Sequence, residues 1–109
     1  MARPRGPALT TALELAAQVR AGEASPAELV EAAIARAEAA DPRLNFLVTD
    51  CFEQALADAR GPLPDGPFTG VPMFVKDLTE TAGLRTTFSS RAFADHVPAR
   101  DAAVVRRLK

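Results

Sequence analysis

Gly70-Val71-Pro72-Met73-Phe74-Val75-Lys76-Asp77 is the stretch on which the reading of this chain turns. In an extended backbone Val71, Met73 and Val75 share one side, with Pro72 and Phe74 on the other. A strand that is apolar on both faces belongs inside a core rather than at a wet edge. Lys76 closes this run, so it is expected at the boundary of that core, where desolvation disfavours the ammonium form. A lysine that can shed its proton can act as a base. For the strand taken alone, the simpler account is a lysine that leaves for solvent and pairs with Asp77 or another carboxylate.

Upstream, Pro62-Leu-Pro-Asp-Gly-Pro-Phe-Thr69 is turn-forming and joins the strand to a set of helices. Residues 1–9 are a Pro/Gly/Arg lead without a period and are expected to be flexible. Thr11-x-x-Glu14 is a capping box that opens a helix, and Gly22 is placed to end it. Ser25-Pro26-x-Glu28 is a second box, with proline at the first helical position. Its helix carries Leu29, Val30, Ala33, Ile34 and Ala37 on one side and should end near Asp41-Pro42. Leu44 to Val48 reads either as a short extended piece or as the start of the next helix. Asp50-x-x-Glu53 is expected to cap a third helix, with Phe52, Leu56 and Ala59 at helical spacing and Gly61 at its end.

Downstream of Lys76-Asp77 a polar stretch runs to about Thr87, read as a loop or a hairpin around Gly83. Asp101 is expected to cap a last helix, where its charge suits the N-terminal dipole. Three helices ahead of one buried strand leave that strand without partners for its backbone groups. The chain breaks off in Val104-Val-Arg-Arg-Leu-Lys109 with no glycine or other stop signal. Both features read as part of something larger.

Composition narrows the function classes. With 13 basic and 14 acidic residues, net charge −1 and no charge block, nothing favours nucleic acid or an acidic membrane surface as partner. A single cysteine, Cys51, and a single histidine, His96, give no disulfide, no metal cluster and no Ser-His-Asp arrangement within the chain. Cys51 at a helix start is a position that can lower a thiol pKa, though no base stands near it in sequence. No apolar run has the length of a signal peptide or a membrane span, so the expected compartment is the cytoplasm.

The stretch 70–77 has company. With Ala82-Gly83-Leu84, Thr86-Thr87-Phe88-Ser89-Ser90, Val97-Pro98-Ala-Arg-Asp101-Ala102 and Val104-Val105 it closely resembles the amidase signature family. Gly22-Glu-Ala-Ser25-Pro-Ala-Glu28-Leu29, Leu44-Asn45-Phe46 and Ala55-Leu56-Ala57 are similar to that family's lead-in, so the likeness runs from about Thr10 to Lys109. The resemblance implies an α/β fold, a mixed central sheet flanked by helices. Residues 1–109 would be the N-terminal part of a single amidase domain. In that frame 10–61 form a helical lead-in, and 70–109 hold the strand with a catalytic lysine, a loop and the start of the next helix.

The activity implied is hydrolysis of a carboxylic amide C–N bond through an acyl-enzyme by a Ser–cis-Ser–Lys triad. Lys76 matches the family's general base, and the two serines and the oxyanion loop would lie beyond this chain. The chemistry is coherent. A serine hydroxyl is a poor nucleophile until a base removes its proton, and the developing oxyanion needs preorganised donors. Ser89-Ser90 is not that serine pair. Ser90 matches the serine of the family's Thr-Thr-x-Gly-Ser loop, and Ser89 replaces its glycine, a departure that bears on the turn because glycine tolerates backbone angles serine does not.

The implied partner is a small-molecule amide substrate, with no cofactor, no metal, no nucleic acid and no membrane. A homo-oligomer of the full-length enzyme is compatible with the likeness. Two alternatives stand beside the amidase: a truncated, non-catalytic remnant, and a glutaminase-type subunit of a transamidation complex. A Schiff-base lysine also wants a buried amine, but nothing else in the chain suggests one.

Overall fold

A computed structural model describes residues 10–109. The expectation for residues 1–9 lies outside the described residues. Helix α1 spans Ala12–Arg20. The Thr11 hydroxyl accepts from Glu14 N, and Thr11 N donates to the Glu14 carboxylate, so the capping box is closed in both directions. At the other end Gly22 takes φ 72°, which lets Gly22 N and Glu23 N reach back to the carbonyls of Val19 and Gln18. That is the double bond of a Schellman stop.

Helix α2 spans Pro26–Leu44, with the Ser25–Glu28 box formed as the sequence predicts. Leu29, Val30 and Ala37 are buried, and Ala33 and Ile34 half-buried on the same side. The helix runs past Asp41-Pro42 to a left-handed Asn45, φ 50°. Asp41 explains the overrun: its Oδ1 accepts from Phe46 N and Leu47 N at 2.8 and 2.9 Å, closing the helix end over Pro42. Leu44 therefore ends α2, and 45–48 are neither strand nor new helix.

Helix α3 spans Phe52–Arg60 and packs on α2. Asp50 is not its N-cap residue. Cys51 holds that position without a side-chain cap, while Asp50 Oδ1 accepts from Phe52 N at 2.9 Å, a tight Asx turn just ahead of the helix. After a turn-rich link the chain reaches Gly70, φ 84°. A Cβ there would lie 2.8 Å from Pro26 Cγ and 3.4 Å from Val19 Cγ1, so only glycine lets this crossing lie against α1 and α2.

The expected central strand is not formed. Residues 71–76 carry no ladder, and no strand occurs among the described residues, so the mixed sheet is absent from them too. No neighbouring segment offers it a row of donors and acceptors, and Pro72 lacks an N–H of its own. Met73 and Phe74 are 57% and 60% exposed, so the apolar run is also not buried. The buried apolar residues are few and small: Ala16, Leu29, Val30, Ala37 and Val105. No helix among the described residues is long and apolar enough to cross a membrane.

From Thr79 to Ala102 the chain folds back on itself with no more regular structure than one 3₁₀ turn. Ala102 N donates to Glu80 O, Gly83 N to Pro98 O and Thr86 N to His96 O, which zips 80–86 to 96–102. Of the loop or hairpin expected around Gly83 the structure forms a loop, whose bonding partner lies farther along the chain. A single 3₁₀ turn, Arg91–Phe93, is capped by the Ser90 hydroxyl, which accepts from Ala92 N. Helix α4, Ala103–Leu108, starts at Ala102 with no side-chain cap. Asp101 is not its cap because its carboxylate is used elsewhere: Oδ1 accepts from Ala82 N and Oδ2 from Lys109 Nζ, both at 2.7 Å.

Candidate functional site

Lys76 lies on the wall of a cleft of ≈ 470 Å³ between two loops, 46–49 and 74–77. Each loop is held from outside. On the first, Asp41 grips Phe46 N and Leu47 N, while Arg85 Nη2 donates to Val48 O and Thr49 Oγ1 donates to Arg85 O, both at 2.9 Å. Arg85 Nη1 also donates to Ala94 O at 2.9 Å, so one guanidinium ties the link between α2 and α3 to the 80–98 segment. Phe46 and Phe74 meet edge to face across the cleft, their ring centroids 5.5 Å apart.

On the second loop the fixed points flank Lys76. The Lys76 carbonyl accepts from Thr79 N, and the Asp77 carbonyl from Phe88 N, both at 2.9 Å. The Asp77 carboxylate is taken at both oxygens: Oδ1 accepts from Thr87 N at 2.8 Å, and Oδ2 accepts from the Thr87 hydroxyl. The Thr87 hydroxyl first, then its N–H, hold the Asp77 carboxyl below the usual value, against a smaller upward push from burial. Thr87 itself is buried. Asp77 thus holds a turn that lies ten residues along the chain.

Lys76 faces solvent, as the simpler account has it, but meets neither of the other expectations. It is exposed rather than seated at a core boundary, because the run before it is itself uncovered. It does not pair with Asp77 either. Among the described residues the ion pairs of lysine or arginine are Arg60–Glu31 and Lys109–Asp101.

The other singled-out residues stay outside this site. Ser89 and Phe88 both take left-handed backbone, φ 58° and 52°, so the turn keeps a glycine-type geometry with a serine in it. Ser90 is a capping residue. His96 Nε2 donates to Glu80 Oε1 at 3.0 Å and the ring stacks on Phe88, a packing role that the sequence leaves unseen because Glu80 lies sixteen residues away. Burial first, then Asp50 and Asp58, push the Cys51 thiol up rather than down. A wider groove of ≈ 870 Å³, bounded by Pro26, Val30, the 61–71 link and Arg107–Lys109, does not contain Lys76. No three His, Cys, Asp or Glu side chains gather to hold a metal among the described residues.

Comparison with known proteins converges on one family. The model of the Amidase family matches residues 28–109. A glutamyl-tRNA(Gln) amidotransferase subunit of Moorella thermoacetica is 46% identical over 106 residues, and its counterpart of the same name in Lachnospira eligens 42% over 106. An acylamidase of Rhodococcus erythropolis is 39% identical over 106 residues. Each alignment covers 91% of this chain and 22% of the relative, so the chain spans about a fifth of the length of the curated relatives it matches. The chain belongs to the Amidase family.

Proposed function

For a member of the Amidase family, we propose hydrolysis of a carboxylic amide C–N bond through an acyl-enzyme, with Lys76 as general base of a Ser–cis-Ser–Lys triad. The observation that carries this reading is the matched segment 28–109, which includes Lys76 on its cleft between loops fixed from outside. In this reading the bridging and nucleophilic serines belong to the part of the relatives' length that the chain does not span. That part completes a mixed sheet around the 71–75 run and covers Lys76. The reading needs such a cover, since a lysine works as a base only where its neutral form is accessible.

Residues 1–109 then form the N-terminal part of one amidase domain, acting in the cytoplasm on a small-molecule amide. A second reading has support of its own: two of the relatives are named as subunits of a glutamyl-tRNA(Gln) amidotransferase. A glutaminase-type role within a transamidation complex uses the same amide chemistry, with ammonia passed on rather than released.

The test is Lys76→Ala in the complete polypeptide, assayed on L-glutamine and on an aliphatic acyl 4-nitroanilide. Loss of a general base lowers kcat by about 10²–10⁴-fold, with the circular dichroism spectrum unchanged. Retained turnover on the substrate that the parent hydrolyses overturns the assignment. Which of the two substrates the parent turns over separates the glutaminase reading from the free-standing amidase.

A further inference from the structure

Lys76 is exposed and is followed directly by a carboxylate, which its long side chain could reach by folding back, although neighbours in an extended backbone leave on opposite sides. An ion pair between them would favour the ammonium form and hold the amine in one place. Here the carboxylate is occupied. Both of its oxygens are bound by one residue, Thr87, through N–H and hydroxyl, and the Asp77 carbonyl accepts from the next residue, Phe88. We infer that Thr87 is a positioning residue for Lys76: by taking both oxygens of Asp77 it keeps the neighbouring carboxylate off the Lys76 amine and pins the main chain from which that amine extends.

Two further features support this assignment over a simple loop staple. Thr87 is buried while its neighbour Ser89 is exposed, so the hydroxyl is committed to Asp77 and not shared with solvent. The loop also holds two consecutive left-handed residues, Phe88 and Ser89, directly after Thr87. Such backbone persists only where its surroundings over-determine it, and the three bonds from Asp77 to Thr87 and Phe88 are those surroundings. Because it concerns how the base is kept unpaired, the inference rests on the general-base reading of Lys76. Its test does not depend on catalysis.

The chain contains two lysines, Lys76 and Lys109. Trace acetylation with acetic anhydride, read by peptide mass spectrometry, therefore reports the free amine of Lys76 against Lys109 as internal reference. In the full chain, Thr87→Val removes the hydroxyl and frees Asp77 Oδ2. Lys76 acetylation should slow about 3-fold relative to Lys109, the ratio that an exposed ion pair supports, and Thr87→Ser should restore the parent ratio. Asp77→Asn should leave the Lys76 rate unchanged, since Thr87 holds the carboxylate it removes turned away from pairing distance of the amine.

An Asp77→Asn chain whose Lys76 reacts about 3-fold faster would show that the carboxylate pairs with the amine in the parent, and overturns the inference. So does an unchanged rate in a folded Thr87→Val chain. Where Thr87→Val unfolds, Lys109 speeds up as well on losing Asp101, and Asp77→Asn decides alone. Full amide hydrolysis by Lys76→Ala would sink the general-base reading while leaving these labelling ratios as they are, so the two failures are distinct.

Discussion

The helical lead-in, residues 10–61, and the stretch from Gly70 to Lys109 satisfy their backbone groups in opposite ways. In the lead-in nearly every bond is local: i to i−4 within α1, α2 and α3, and boxes three residues wide at Thr11–Glu14 and Ser25–Glu28. In the second region the joining is long-range: backbone pairs link 80–86 to 96–102, and single side chains reach across ten to thirty-seven residues. Asp77 reaches Thr87, Asp101 reaches Ala82, and Arg85 reaches Val48. The first kind of bond survives in any context that keeps the helix; the second holds only while the whole loop arrangement does. Lys76 sits in the second region, so the candidate site depends on long-range staples and not on an element that would form by itself.

The harshest way to break this contrast is at the seam. Gly70→Ala puts a Cβ 2.8 Å from Pro26 Cγ at a φ of +84°. Left-handed strain and overpacking together cost about 2–5 kcal/mol. Amide exchange should therefore rise in α1, in the first turns of α2 and at Val71, while α3 keeps its protection. Protection unchanged throughout would mean that the two regions do not rely on this crossing.

Next comes the staple at the site. Asp77→Ala strands the buried Thr87 hydroxyl and N–H, at about 1–3 kcal/mol. Exchange at Thr87 and Phe88 should accelerate, with α2 unaffected. Acid should reproduce part of this effect. The folded Asp77 carboxyl titrates below its ordinary value of about 3.9. Its stabilisation is thus fully present above that value and lost as pH falls through the lower folded one. The Thr87 amide resonance followed down from pH 6 should stay put to below pH ~4 and move only then. Movement between pH 6 and 5 would refute the clamp.

The same contrast explains what could be read in advance. Ser25-Pro26-x-Glu28 was legible because the acceptor and donor of a capping box lie three residues apart, inside one motif. Asp50 and Asp101 look like the same signal, yet Asp101 is drawn off by Ala82 and Lys109, partners that only the folded chain brings near. The 71–75 run has the composition of a core strand. A strand is a pairwise object, however, and the described residues supply no second member, so its exposed Met73 and Phe74 follow from what is around it. Lys76 was legible as a candidate from the motif, whereas its neighbour's commitment to Thr87 was not, because ten residues of loop separate them.

A smaller test sharpens the local side of the comparison. Ser25→Ala removes one acceptor from the start of α2 and should cost about 1 kcal/mol. The loss should appear as faster exchange in the first turn of α2 alone. Spread to Thr86–Phe88 would show that the cap supports the second region too, against the separation drawn here.

The smallest effect has the opposite sign. Ser89 holds φ +58° where glycine would sit without penalty. A non-glycine residue in that region costs about 1–2 kcal/mol, while glycine loosens the unfolded chain by about 0.5–1 kcal/mol. The balance leaves Ser89→Gly more stable by about 0.5 kcal/mol, seen as slower exchange at Phe88 and Ser90. Ser89 is exposed and its hydroxyl makes none of the bonds that hold Asp77, so the gain should come without any change at Thr87. Should Ser89→Gly instead loosen Thr87, the serine would be part of the staple, and the strain at 88–89 would be something the second region uses rather than something Asp77 merely restrains.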